Sequence, residues 1–209
     1  MPEDEPNQAA ATESEKPAER PRLKYPESPL TDGVVNLRPR KTSDIPRIVE
    51  ACSDPDTAHY TTVPSPYTEA DAQEWLDCQA ERMAKGESLE FAIAEPESGL
   101  LVGSVGFVKF HWPDRRGEVG YWQHPDSRGK GYTTRALALL CRHGFETLGL
   151  ERCEGLAEKG NIGSQKVLEK VGFQREGLLR SYVEIKGVRM DMVMFALLKG
   201  ELRNDSVDM

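Results

Sequence analysis

The chain has 209 residues, of which 38% are apolar and 30% are charged, and its formal net charge is −8 at pH 7. This balance is typical of a globular protein, and no apolar run approaches the roughly 20 residues that a membrane-spanning helix needs. The negative charge argues against nucleic acid as the main ligand, because binding to a phosphate backbone requires a basic face.

Residues 1–30 are rich in Pro, Glu, Ala and Ser and hold almost no large apolar side chains, so we expect a disordered tail there. We expect one folded domain over 31–200 and a short polar end over 201–209. The first residues do not combine a positive start with an apolar stretch, which favours a cytoplasmic protein. The cysteines form no C-x-x-C pair and the histidines no H-x-x-x-H pair, so we expect no metal site.

The first half of the domain reads as a strand, two helices and three strands. Residues 34–39 are the first strand, and Pro46 lies in the first turn of the first helix, as is common at helix starts. The second helix begins at Thr68, which forms a predicted capping box with Asp71, and it ends near Gly86. Three consecutive strands follow within 89–124, and the first two are close enough to pair antiparallel.

The second half alternates between helix and strand before a final hairpin. A helix over 133–148 ends at Gly149, a strand covers 151–157, and a short helix over 161–171 stops at Gly172. The last two strands turn at Lys186 and Gly187. This order predicts a mixed α/β fold with helices on both faces of the sheet.

Two glycines and two cations directly precede the helix over 133–148: Arg128, Gly129, Lys130 and Gly131. Glycine is a poor helix former, so helix stability does not explain this composition. A glycine loop that leads into a helix exposes backbone N–H groups without acceptors, and the helix dipole adds about half a positive charge. We therefore predict a phosphate or pyrophosphate site, with charge added by the two cations.

Other phosphate motifs fit this loop less well. His124 and Gly131 stand where a P-loop needs its first glycine and its Ser or Thr. Thr134 stands where a dinucleotide-binding fingerprint needs its third glycine. Glu151 does lie about 20 residues further on, where an acidic residue would contact a ribose. A nucleotide-dependent oxidoreductase therefore remains a minor alternative, and so does a glycine turn that only reverses the chain.

The run 120–173, which contains "GYWQHPDSRGKGYTTRALALL" and "NIGSQKVLEKVGF", resembles the central motifs of the GNAT superfamily of acyl-CoA-dependent N-acyltransferases. It is most similar to the Rim-type ribosomal-protein alanine N-acetyltransferases, and residues 172–198 also resemble the end of that branch. Arg128-x-x-Gly131-x-Thr133 matches the Q/R-x-x-G-x-G/A loop except at Thr133. That position contributes mainly a backbone N–H, so Thr should be tolerated with less room for the phosphate.

The resemblance implies a mixed, mostly antiparallel sheet whose central strands, 118–124 and 152–156, splay apart around the pantetheine of CoA. Gly120 agrees with this placement, because it thins the first strand. The residues expected to line pantetheine are Trp122, Gln123 and His124. Those expected to bind pyrophosphate are Arg128, Gly129, Lys130, Gly131, Tyr132 and Thr133.

The N-x-x-S motif implies roles at the thiol end of CoA. Asn161 would hold pantetheine through its amide, and Ser164 would bind the thiol end and donate a proton to the departing thiolate. Both residues also have an ordinary structural interpretation, because Asn is a good N-cap and Ser is common in a first helical turn.

Glu118 is the candidate general base, acting through water, because it shares strand parity with Gly120 and Trp122 beside the cleft. A solvated charge at a strand start is the alternative. Glu184 and Tyr182 on the last hairpin are weaker candidates.

The expected acceptor amine follows from the cost of removing a proton from each kind of amine at pH 7. An α-amino group of pKa about 7.7–8.0 needs only about 1 kcal/mol to be neutral at pH 7, whereas a lysine of pKa about 10.4 needs roughly 4.6 kcal/mol. We therefore expect acetyl transfer from acetyl-CoA to a primary amine, preferably a protein N-terminal α-amine, by direct attack in a ternary complex. A small-molecule acceptor (a polyamine, an aminoglycoside or an amino-acid derivative) and a non-catalytic CoA-binding module remain alternatives. A homodimer is a further possibility.

Overall fold

The computed structural model describes residues 21–203, and its strands form one mixed sheet. The strands are β1 (Leu30–Thr31), β2 (Asn36–Arg38), β3 (Leu89–Ala94), β4 (Leu101–His111), β5 (Arg116–Gln123), β6 (Arg152–Glu158), β7 (Gln174–Ile185) and β8 (Val188–Leu198). Their spatial order is β1-β2-β3-β4-β5-β6-β8-β7. All neighbours pair antiparallel except β5 and β6, which pair parallel.

Helices cover both faces of the sheet, as the sequence predicts. They are α1 (Ile45–Ser53), α2 (Pro55–Tyr60), α3 (Glu69–Ala84), α4 (Tyr132–Glu146) and α5 (Ile162–Val171). The larger core contains the buried faces of α4 and α5, and the smaller core contains those of α1 and α3. Within residues 21–203, none of the helices has both the length and the apolar content that crossing a bilayer requires.

Local sequence signals fix several of these boundaries. The predicted capping box forms at the start of α3, where the Thr68 backbone N–H donates to Asp71 Oδ2 at 2.8 Å and Thr68 Oγ1 accepts from the Asp71 N–H at 3.3 Å. The last hairpin turns at Lys186 and Gly187, whose φ values of 50° and 79° suit a tight turn between twisted strands. Both predictions are confirmed.

The sequence analysis missed α2 and the two-residue strand β1. The signal for α2 was present in the chain, because Asp54 is an N-cap that accepts a hydrogen bond from the Thr57 N–H at 3.0 Å and Pro55 occupies the first helical position. A helix of six residues has too little apolar periodicity to be recognised otherwise.

The packed part of the chain begins before residue 31, which corrects the expected boundary. Leu23 is buried in the larger core. The Tyr25 ring lies 5.3 Å from the Phe91 ring between centroids, and the Tyr25 hydroxyl group donates to the Glu90 carbonyl at 2.9 Å. A few apolar side chains are therefore sufficient to hold this segment on the sheet. The rest of the predicted tail and the last six residues lie outside the described residues.

The central strands β5 and β6 part after a short parallel ladder, which confirms the expected splay. They pair only over 116–119 and 152–155. On the other side of β5, strand β4 has a bulge between Phe107 and Lys109 that includes Val108. A Cβ atom at Gly120 would lie 2.7 Å from Val108 Cγ1, so only glycine leaves room for this bulge.

Glycine at position 106 is required for close pairing of β3 and β4. A Cβ atom there would lie 2.5 Å from Glu90 Cα and 2.7 Å from the Leu89 carbonyl oxygen, and neither backbone atom can move aside cheaply. We expect Gly106→Ala to lower the free energy of unfolding by about 2 kcal/mol and Tm by about 6 °C. Thermal unfolding followed by circular dichroism measures this change.

Gly177→Ala in β7 is the matched control, because a Cβ atom at Gly177 would meet nothing within 4 Å. Its free energy of unfolding should change by less than about 1 kcal/mol. Equal Tm values for Gly106→Ala and the wild type would contradict the register of β3 and β4.

Candidate active site

A cleft of about 1350 Å³ opens where β5 and β6 part. One wall is formed by β5 and the starts of α4 and α5, and the other by α2, α3 and the hairpin of β7 and β8. Eight of the twelve residues that the sequence analysis assigned to the site line this cleft: Glu118, Trp122, Gln123, Arg128, Gly129, Thr133, Asn161 and Ser164. The fold thus brings most of the predicted set together.

The start of α4 carries a run of unpaired backbone amides. In the described part of the chain, the N–H groups of residues 129–134 have no hydrogen-bond acceptor, and the first bond of the helix joins the Arg135 N–H to the Gly131 carbonyl at 3.2 Å. Gly129 and Gly131 have φ values of 78° and 76°, and a Cβ atom at either would meet nothing within 4 Å. The amides therefore have no acceptor and the two glycines carry no side chain that could hinder a ligand, an arrangement suited to the oxygens of a phosphate.

Thr133 connects the first turn of α4 to the sheet. Its Oγ1 donates to Gln123 Oε1, and Gln123 Nε2 donates to the Val102 carbonyl at 2.6 Å. A small residue, which the motif normally has at this position, could not make the first bond. The threonine therefore holds the amide loop against the end of β5.

The Arg128 side chain is directed at α2. Its guanidinium group forms ion pairs with Asp54 and Asp56, the second at 3.2 Å, and donates to Thr57 Oγ1 at 3.2 Å. Although burial acts to raise it, the pKa of Asp54 is lowered by hydrogen bonds from Arg128 and Thr57. The Arg128 side chain therefore adds less positive charge to the loop than the sequence indicated, because the carboxylates of Asp54 and Asp56, at the start of α2, already pair with it.

Lys130 and Tyr132 lie beside the amides without lining the cleft. Lys130 is exposed, and within residues 21–203 it makes no ion pair. Its ammonium group lies 5.9 Å from the centroid of the Tyr132 ring, and that ring packs against the larger core. Lys130 is therefore the cation of the loop that remains available to an anion.

The end of β5 presents backbone groups to the gap. The His124 N–H donates to the Val102 carbonyl at 2.9 Å, so by antiparallel alternation Trp122 and His124 direct their backbone groups at β4. Tyr121 and Gln123 direct theirs at β6, beyond the point where that ladder has ended. Trp122 instead contributes its side chain, which lies 6.4 Å from the Trp75 ring between centroids.

His124 is not among the residues that line the cleft, unlike Trp122 and Gln123, with which it was predicted to line pantetheine. It is buried, and its ring lies between Asp126 Oδ1, 2.8 Å from Nδ1, and Glu50 Oε2, 3.1 Å from Nε2. Its carbonyl accepts from the Ser127 N–H at 3.0 Å. A hydrogen bond from Arg47 holds the pKa of Asp126 well below its usual range. The histidine thus braces α1 against the loop after β5.

Asn161 and Ser164 meet at the start of α5. Asn161 is the N-cap, and its Oδ1 accepts from the Ser164 N–H at 3.0 Å. Asn161 Oδ1 therefore acts as an ordinary helix cap. The Nδ2 group of Asn161 has no hydrogen-bond partner among the described residues. Ser164 Oγ lies 2.9 Å from the hydroxyl oxygen of Tyr121, a residue that the sequence analysis did not assign to the site. Only strand parity with Gln123 could have indicated it.

Glu118 lines the cleft on the same face of β5 as Trp122, as predicted. Its carboxylate accepts no hydrogen bond from residues 21–203. Burial raises the pKa of Glu118; Lys109 opposes this shift, whereas the carboxylate of Glu154, its register partner on β6, adds to it. A half-buried carboxylate of raised pKa in a cleft is suited to accept a proton.

A buried ion cluster that was not predicted from the sequence lies on the sheet side of the cleft, with Glu90 on β3 and Ser104 on β4. Arg40 Nη2 donates to Glu90 Oε2 at 3.0 Å and to Ser104 Oγ at 2.7 Å, and the guanidinium carbon lies 3.6 Å from the Trp75 centroid. Tyr60 at the end of α2 and Tyr67 in the loop before α3 also line the cleft. Of the weaker hairpin candidates, Tyr182 lines the cleft and Glu184 does not.

Comparison with known proteins identifies the fold. The acetyltransferase (GNAT) domain family matches residues 35–174. The N-acetyltransferase p20 of Bacillus licheniformis, named as uncharacterized, is 32% identical over 168 residues, which cover 80% of this chain and 94% of p20. The putative ribosomal N-acetyltransferase YdaF of Bacillus subtilis is 39% identical over 110 residues, or 50% of this chain and 60% of YdaF.

A solved structure agrees with this match. Mycobacterium smegmatis RimJ in complex with CoA-disulfide superposes with a TM-score of 0.75 at 26% identity, covering 85% of this chain and 88% of RimJ. The family match, these relatives and the mixed sheet with its splayed central strands lead to one conclusion. This chain belongs to the GNAT family of acetyltransferases.

Proposed function

We propose that this protein transfers the acetyl group of acetyl-CoA to a protein N-terminal α-amine by direct attack in a ternary complex. One observation carries the proposal: six backbone amides without an acceptor among residues 21–203 lie beside the gap between β5 and β6, and the carboxylate of Glu118, unpaired within the same residues, lies in the same cleft. The CoA-disulfide in the RimJ structure supports an acyl-CoA donor.

Binding of the acetyl donor, acetyl-CoA, would use backbone groups more than charged side chains. The amides of residues 129–134, with the ammonium group of Lys130, would hold the pyrophosphate. The backbone groups of Tyr121 and Gln123 that face the gap would pair with pantetheine, and the free Nδ2 of Asn161 would donate to it. This arrangement would place the thioester at the cleft, near Glu118 and Ser164.

The chemistry requires a neutral amine, a bond exchange at the thioester carbon and a proton for the departing sulfur. Glu118 would accept the amine proton through water, and burial, which raises its pKa, makes it a stronger base. The neutral nitrogen would then attack the carbonyl carbon, the C–N bond would form as the C–S bond breaks, and the second proton of the nitrogen would pass to solvent. Ser164 would donate a hydrogen bond to the departing sulfur.

The choice of acceptor rests on the strength of this base. Deprotonating an α-amine at pH 7 costs about 1 kcal/mol, compared with roughly 4.6 kcal/mol for a lysine side chain. A single half-buried carboxylate fits the smaller demand. The name of YdaF, a putative ribosomal N-acetyltransferase, agrees with an acceptor amine on a ribosomal component.

An acceptor panel tests the proposed function. Release of free CoA thiol from acetyl-CoA should be fastest with a peptide that has a free N-terminal amine and contains a lysine. The same peptide with a blocked N-terminus should lose about 99% of this rate, because only the ε-amine remains. Mass spectrometry of the product should place the acetyl group on the N-terminal residue.

Two results of the panel would contradict the proposal. Faster release with spermidine or an aminoglycoside than with the peptide would identify a small-molecule acceptor. Binding of acetyl-CoA without release for every amine would identify a non-catalytic CoA-binding module.

Glu118→Gln should lower activity and raise stability together. We expect kcat/KM to fall about 100-fold through loss of the base. The pKa of Glu118 is higher in the folded state than in the unfolded state. The stabilising contribution of this group is therefore lost as pH rises through the folded pKa. At pH 7 the charge of Glu118 destabilises the fold. The variant should therefore have a higher Tm than the wild type at pH 7 and an equal Tm below about pH 4.

Glu97→Gln is the control for this prediction, because it removes the same charge from an exposed turn outside the cleft. It should leave both kcat/KM and Tm unchanged. A Glu118→Gln enzyme with wild-type kcat/KM would show that Glu118 is not the base.

A further inference from the structure

Tyr121 lines the cleft. The acetyl-CoA site proposed above uses its backbone and leaves its side chain without a role. Tyr121 follows the last residue of the β5–β6 ladder, Val119, by two positions, so its backbone faces the gap. Its side chain packs against the larger core and carries the hydroxyl group to the start of α5. That group lies 2.9 Å from Ser164 Oγ and 3.1 Å from the Ser164 carbonyl oxygen.

Ser164 is consequently held at three atoms. Its N–H donates to Asn161 Oδ1, and both its carbonyl oxygen and its Oγ lie within hydrogen-bond distance of the Tyr121 hydroxyl group. The backbone of Ser164 is thus fixed, and its remaining freedom is the direction of its hydroxyl proton.

The tyrosine hydroxyl group has one proton and two acceptors in reach, which allows two arrangements. When Tyr121 donates to the carbonyl, Ser164 must donate to Tyr121, and the serine proton is directed away from the cleft. When Tyr121 donates to Ser164 Oγ, the serine proton is released to another acceptor. The two arrangements differ only in the directions of the O–H bonds, because both acceptors already lie within hydrogen-bond distance of the Tyr121 oxygen.

Tyr121 remains a donor throughout the working pH range of an acetyltransferase. Burial raises the pKa of its hydroxyl group well above the ordinary value, although the hydrogen bond with Ser164 opposes this shift. The tyrosine therefore keeps its proton and supplies a hydrogen bond only. Any proton that reaches the sulfur comes through Ser164 or from solvent.

We propose that Tyr121 is a positioning residue for acetyl transfer, whose hydroxyl group directs the proton of Ser164 at the departing sulfur. This inference rests on the proposed role of Ser164 in the proposed function. As the C–S bond breaks, the electron pair stays on sulfur. Tyr121 donates to Ser164 Oγ, and Ser164 donates its own hydrogen bond to the sulfur. The sulfur is then protonated from solvent, which balances the second proton that the nitrogen releases to solvent after its attack, while the first proton stays on Glu118.

Tyr121→Phe tests the inference, because it removes the hydroxyl group and keeps the ring. We expect kcat to fall about 10-fold, while KM for acetyl-CoA stays within twofold of the wild type. Tyr25→Phe is the matched control, since the Tyr25 hydroxyl group also donates to a backbone carbonyl, that of Glu90, at 2.9 Å. The control should lose a comparable amount of thermal stability and keep its kcat.

A double-mutant cycle separates positioning from a structural role. Ser164→Ala should lower kcat about 100-fold, and adding Tyr121→Phe to it should cause no further loss, because the group that Tyr121 orients is gone. A tenfold further loss in the double variant, or a wild-type kcat for Tyr121→Phe, would overturn the inference.

The assays use whichever amine the wild-type enzyme acetylates fastest. If that amine is not an N-terminus, the proposed acceptor is wrong, and the cycle still decides the role of Tyr121. If the N-terminal peptide is the best acceptor and Tyr121→Phe matches the wild type, only the inference about Tyr121 fails.

Discussion

The site depends on the early end of one ladder, the parallel pairing of β5 and β6. Strand β5 is tied to β4 along most of its length, and β6 is tied to β8 over all seven of its residues. Each strand therefore follows the twist of its own half of the sheet, and the halves meet only over 116–119 and 152–155. Ion pairs from Arg116 and Arg152 to Glu154, at 2.7 and 2.8 Å, hold this junction. Beyond it, backbone groups that would normally pair with a strand face a cleft.

The proposed phosphate site also relies on backbone groups more than on charged side chains. The protein carries a net charge of −8, and Arg128 of the glycine loop is already neutralised by α2. Attraction for a phosphate at the proposed site would then come mainly from the amides of residues 129–134 and from the helix dipole, which are fixed partial charges that need no side-chain ordering. Thr133 keeps them beside the cleft through Gln123. A backbone site of this kind is compatible with an acidic surface.

The sequence predicted those parts of the site that follow from local chemistry. Gly129 and Gly131 indicated the amide loop, because glycine readily adopts a left-handed backbone conformation and has no side chain. The N-x-x-S motif indicated the start of α5. The capping box at Thr68 was predictable for the same reason. The sequence could not show which backbone groups of β5 face the gap, because that depends on the register with β4.

Long-range side-chain partners were equally hidden. His124 was assigned to pantetheine, but Glu50 and Asp126 hold its ring, and the first of these lies 74 residues away in the chain. Tyr121 meets Ser164 across 43 residues, and Arg128 meets Asp54 across 74. Leu23 looked like part of a polar tail because a single apolar residue in such a segment leaves no periodic signal.

In the proposed complex, the amides of residues 129–134 bind the pyrophosphate of CoA while the β5 backbone binds its pantetheine arm. The most direct measurement is an NMR titration of the ¹⁵N-labelled protein with CoA and, separately, with pantetheine, which lacks the phosphates. CoA should shift the amide resonances of residues 129–134 and of Tyr121 and Gln123, and pantetheine should shift only the last two. Amides of residues 129–134 that stay unchanged when CoA is saturating would contradict the account.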